Sequence, residues 1–130
     1  LKHKVFFMND SKEKFSIKRR TGSLRFAWEG FKRFIRSEHN AWIHIAVTLA
    51  VIGFGAYYKI SRMEWVAVCI AIALVFSAEI LNTAIEKLCD VVMPEKNESI
   101  KHIKDISAAA VLLCAVIACV IGLLIFLPEI

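Results

Sequence analysis

Glu79, Asn82, Glu86 and Asp90 intrude where a largely apolar stretch of this chain continues. On a helix turning 100° per residue, the last three fall at about 300°, 340° and 20° from Glu79, so all four share one face. The intervening Ile80, Leu81, Ala84, Ile85 and Leu88 keep the rest of the helix apolar. Ionisable groups in a membrane segment are costly and usually mark a pathway or a site. Four polar side chains in register therefore point to function more than to packing.

Further chemical groups reach the same level, with Glu38 just before the first apolar run and Lys104-Asp105 just before the third. Glu38 and Glu86 offer hard carboxylate oxygens suited to Mg²⁺, and Lys104 suits phosphate oxygens. Glu79, set deeper, could accept the proton of a lipid alcohol. This is the equipment of phosphoryl transfer, which needs charge neutralisation, positioning and a group to orient the acceptor. The same groups suit cation translocation nearly as well, with Glu79 and His44 relaying charge, and spacing alone leaves both readings open. His44, one turn into the first apolar run, is read as a hydrogen-bonded packing histidine. The chain has neither a Gly-x-x-x-x-Gly-Lys-Ser/Thr loop nor the Gly-rich loop and His-Arg-Asp motif of protein kinases, so any ATP site is built differently.

The elements that must position these groups are membrane helices. The 130 residues are 58% hydrophobic, with a mean hydropathy of +0.57, too apolar for an ordinary soluble domain. Three runs approach the length of about 20 residues that a spanning helix needs, at 41–57, 65–81 and 108–127. Eleven of the 17 Lys and Arg residues fall in residues 1–36, and Lys96, Lys101 and Lys104 mark the second connection. By the positive-inside rule both regions face the cytoplasm, N-terminus included, with the connection at 58–64 outside. Within 23–36, Leu24, Trp28, Phe31 and Ile35 recur at spacings of four, three and four opposite Arg25, Glu29, Lys32, Arg33 and Arg36. That pattern predicts an amphipathic helix lying in the membrane interface, following a basic segment at 1–22. The charged N-terminal region lacks the apolar core of a cleavable signal peptide. Cys69, Cys89, Cys114 and Cys119 have no paired metal or redox spacing and are read as packing residues. A third reading, a non-catalytic membrane subunit, would use the small residues Ala108, Ala109, Ala110, Ala115 and Ala118 for helix packing.

The run Glu79-Ile80-Leu81-Asn82-Thr83-Ala84-Ile85-Glu86 with Asp90, followed by Lys104-Asp105-Ile106-Ser107-Ala108-Ala109-Ala110-Val111, resembles the signature of the prokaryotic diacylglycerol kinase family. The likeness extends to Trp28-Glu29-Gly30 and to Glu38, Asn40 and Ile43-His44. The Asn-x-x-Ile-His run is closer to the branch found in Gram-positive bacteria, many of whose members phosphorylate undecaprenol. Two positions depart: Trp42 stands where that branch often has Arg, and Phe26 where some members have Tyr near the nucleotide phosphates.

The resemblance implies an all-α membrane protein of the bacterial inner membrane, a homotrimer of three-span subunits with shared active sites and no nucleic-acid partner. It implies transfer of the γ-phosphate of Mg-ATP to a membrane lipid hydroxyl, diacylglycerol or undecaprenol. Glu38 and Glu86 would hold the metal and Glu79 would act as base, while Asn82, Lys104 and Asp105 would line the nucleotide or catalytic site. Asp90, at the end of the stripe, is assigned to the nucleotide with them. Arg19 or Arg25 could replace lost phosphate contacts, although a lipid-headgroup role suits each better.

Overall fold

A computed structural model describes residues 17–130. The described chain is helical: α1 (Ile17–Ser37), α2 (His39–Tyr58), α3 (Arg62–Val92) and α4 (Glu98–Phe126), closed by a short 3₁₀ turn at Leu127–Glu129. The all-α expectation is met. Of the basic segment expected at 1–22, residues 1–16 lie outside the described residues, and the remainder forms the first turns of α1, which begins six residues before the expected start at 23.

Three of the helices are long and apolar enough to cross a membrane. All three exceed the runs read from hydropathy, α3 most of all. Its 31 residues span about 46 Å, well beyond a hydrocarbon core of about 30 Å, so the polar stripe continues the helix past the oil instead of ending it. α4 likewise begins at Glu98, placing Lys104 and Asp105 nearly two turns inside the helix.

Each boundary has a local cause. Between α1 and α2 a single extended residue, Glu38 (φ −110°, ψ 118°), turns the chain, and no capping bond uses its carboxylate. α2 ends at Lys59, left-handed at φ 53° and ψ 46°, with the Lys59 and Ile60 amides donating to the carbonyls of Ala56 and Gly55. Ser61 then opens α3 through a reciprocal capping box: its hydroxyl accepts from the Glu64 amide at 3.3 Å and the Glu64 carboxylate accepts from the Ser61 amide at 2.6 Å. Asn97 caps α4 by accepting from the amides of Ser99 and Ile100.

α3 packs principally on α4, with α2 against α3 and α1 touching α2 and α3. A small core of Ile60, Val68 and Ile125 closes the end of the bundle that carries the α2–α3 turn, with Trp65, Tyr58, Ile121 and Phe126 around it. Most of the remaining apolar surface of the three long helices faces outward, as membrane helices require. On α1, Leu24, Phe26 and Trp28 are exposed and Phe34 is buried. Lys32 donates to Glu29 at 2.7 Å, and this bond, with the nearby basic charges, holds the Glu29 carboxyl below its usual range.

Gly55 makes the closest helix approach in this core. A Cβ built there would lie 2.8 Å from Trp65 Cη2 and 3.1 Å from Ile60 Cδ1, whereas one at Gly53 would meet nothing within 4 Å. We expect Gly55→Ala to cost about 1–3 kcal/mol through overpacking and Gly53→Ala to cost far less. Denaturation in detergent of the two variants measures the difference, and equal stabilities would contradict the packing described.

Candidate active site

The sequence-derived residues assemble on α3 in three successive levels. Deepest is Glu79, 5% exposed, whose Oε1 lies 2.9 Å from Nε2 of His44 on α2. Phe76, one turn earlier on α3, meets the imidazole edge-on, with ring centroids 6.1 Å apart. His44 and Phe76 also line an apolar cavity of about 360 Å³ between α2, α3 and α4, whose other walls include Val47, Val51, Val68, Ala118 and Gly122. The polar pair thus sits at the edge of a space shaped for hydrocarbon.

Two turns on, about 10 Å along α3, comes the middle level. Asn82 Nδ2 donates to Glu86 Oε1 at 3.2 Å, an i to i+4 bond that fixes the carboxylate of a half-buried Glu86. Among the described residues Asn82 Oδ1 is buried with no hydrogen-bond partner, as is Ser107 Oγ on α4. Glu38 reaches this level from the α1–α2 break: Lys87 Nζ lies 3.3 Å from its Oε1 and 2.9 Å from Ser37 Oγ, which also donates to Glu38 at 3.2 Å. The chain turn that left Glu38 uncapped therefore delivers its carboxylate beside the α3 residue that follows Glu86.

The outermost level is the most exposed, with the Asp90 side chain 66% accessible. Lys104 Nζ lies 2.5 Å from Asp90 Oδ1, bridging α4 to α3, and both residues border a polar cavity of about 530 Å³ under the α3–α4 turn. Asp105 also borders it but pairs along its own helix with Lys101, at 2.7 Å, and does not join the α3 stripe.

Two participants, Lys87 and Ser107, escaped the sequence reading. His44 is hydrogen-bonded as expected, but to Glu79 itself. Lys87 lies about 80° around the helix from Glu79, off the stripe, and enters through Glu38. Ser107 carried no signal beyond being a small polar residue next to Lys104-Asp105. Arg19 and Arg25 lie exposed on α1.

Carboxylates at Glu38 and Glu86 fit the coordination habit of Mg²⁺, which takes one or two protein carboxylates and completes its shell with phosphates and water. Among the described residues no group of three or more His, Cys, Asp or Glu side chains could hold a metal alone.

Three membrane-length helices, one of them carrying a polar face, define a membrane protein. A family model described as prokaryotic diacylglycerol kinase matches residues 25–126. The chain is 40% identical over 107 residues to undecaprenol kinase of Bacillus subtilis, covering 82% of this chain and 87% of that protein. It is 32% identical over 108 residues to diacylglycerol kinase of Synechocystis, spanning 82% of this chain and 62% of the relative. To diacylglycerol kinase of Escherichia coli it is 30% identical over 101 residues, 72% of this chain and 76% of the relative. The chain belongs to the prokaryotic diacylglycerol kinase family and is a lipid kinase. The cation-translocation reading, compatible with the residues taken alone, finds no support among these relatives.

Proposed function

We propose that the protein transfers the γ-phosphate of ATP, with Mg²⁺, to the hydroxyl of a long-chain membrane alcohol at the cytoplasmic face of the bacterial inner membrane. The observation that carries this reading is the graded polar face of α3, with Glu79 bonded to His44 at the wall of the apolar cavity and Asp90–Lys104 beside the polar one. A lipid whose chain occupies the inner space would bring its headgroup to Glu79, and a nucleotide held at the outer levels would meet it from the water side. Undecaprenol is the favoured acceptor, because the Bacillus relative that bears that activity in its name shares 40% identity over nearly its full length.

Glu79 accepts the hydroxyl proton as the alcohol oxygen bonds the γ-phosphorus; the bond from that phosphorus to the bridging oxygen breaks and ADP leaves. Asn82 orients Glu86, and Glu86 with Glu38 holds the metal. Mg²⁺ neutralises the phosphate charge when bound. Lys104, restrained by Asp90, and Asp105 hold the nucleotide. The basic residues of α1 lie at anionic headgroups with its exposed Leu24 and Trp28 in the acyl boundary, and the subunits assemble as a homotrimer.

In mixed micelles with radiolabelled ATP, purified protein should phosphorylate both undecaprenol and diacylglycerol when Mg²⁺ is present, undecaprenol faster. Chelation of the metal should stop both. Absence of metal-dependent transfer to either lipid would overturn the proposal.

A further inference from the structure

Two helices meet at the Glu79 carboxylate through one hydrogen bond. His44 lies 35 positions away in sequence and is itself largely enclosed, its side chain 22% exposed against 7% for that of Glu79. An ionised carboxylate only accepts hydrogen bonds, so the 2.9 Å contact places the imidazole hydrogen on Nε2 whenever Glu79 is charged. The contact engages Oε1 and leaves Oε2 for another donor. Phe76 packs edge-on against the ring, limiting its swing. A charged carboxylate among apolar side chains is costly unless it is paired or hydrogen-bonded, and this bond comes from the side of the apolar cavity, where water does not substitute easily.

We propose that His44 is the positioning residue of the phosphoryl-transfer base. Its Nε2–H fixes the rotamer of Glu79 and aims Oε2 at the acceptor hydroxyl on the edge of the cavity. His44 gains no proton in the step: the O–H bond of the alcohol breaks, its proton passes to Oε2, and the oxygen pair goes to the γ-phosphorus. This inference rests on the proposed role of Glu79 as base.

The test compares His44→Leu with His44→Gln in the micelle assay, alongside nuclear magnetic resonance of ¹⁵N-histidine-labelled wild type and Glu79→Gln. Leu removes the donor and Gln restores an N–H of similar reach. A hydrogen bond to a charged group sustains about a 10- to 100-fold effect, so kcat of His44→Leu should fall by about that factor. The KM for Mg-ATP should stay within about twofold, since Lys104 and Asp90 act two levels away. His44→Gln should recover most of the loss, and Glu79→Gln should move the His44 nitrogen signals while leaving those of His39 and His102 in place.

Wild-type kcat in His44→Leu, or a His44→Gln enzyme as slow as the Leu variant, overturns the proposal. So does a His44 spectrum indifferent to Glu79→Gln, a result obtainable even if His44→Leu fails to fold. If wild-type protein itself transfers no phosphate, the kinase reading fails first, and the spectra still report whether the pair exists.

Discussion

Replacing Glu79 by Gln is expected to lower kcat by about a thousandfold while leaving the KM for Mg-ATP within about twofold. General bases contribute about 10²- to 10⁴-fold, and an amide cannot take the proton. The split between constants follows from the levels on α3: Asp90 and Lys104, proposed to hold the nucleotide, bridge α3 to α4 independently of Glu79. The fold should be retained, because the amide oxygen of Gln can still accept from His44 Nε2 and that donor keeps its partner. Steady-state kinetics in micelles, with a detergent denaturation curve beside them, read both quantities. A kcat within about threefold of wild type would remove Glu79 from the chemistry.

How much of this arrangement the chain discloses in advance depends on the range of the interaction concerned. The stripe at Glu79, Asn82, Glu86 and Asp90 is a property of one helix, and helical periodicity alone places the four residues on a common face. Asn82 donating to Glu86 at i to i+4 follows from the same geometry. Helix lengths were harder, since a hydropathy window stops where charges begin while backbone hydrogen bonding continues. The start of α3 was nevertheless written in Ser61-Arg62-Met63-Glu64, a capping-box pattern that places the first turn three residues before the apolar run at 65. Contacts between helices were not legible. Whether His44 meets Glu79, or Lys87 meets Glu38, depends on the relative rotation and depth of α2 and α3, and no local pattern encodes either. Asp105 shows the reverse: a charge adjacent in sequence to Lys104 turns instead to Lys101 along its own helix face.

Those inter-helix contacts give the second large effect its mechanism. Glu86→Gln should nearly abolish transfer, by about two to three decades, because a divalent ion contributes several kcal/mol of charge stabilisation and each 1.4 kcal/mol is tenfold. The amide oxygen of the variant can still accept from Asn82, so the helix face keeps its geometry and only the charge is lost. The remaining carboxylate, Glu38, is already shared with Lys87 Nζ at 3.3 Å and cannot replace a second anionic ligand. Residual activity should therefore demand more metal, with the half-saturating Mg²⁺ concentration at least about tenfold higher, and raising ATP alone should not restore it. An activity titration in Mg²⁺ at saturating lipid checks this. Unchanged metal dependence with unchanged rate would show that Glu86 is no ligand and that its bond to Asn82 serves only the helix. Loss of rate without a shift in metal demand would place Glu86 at the reacting phosphate.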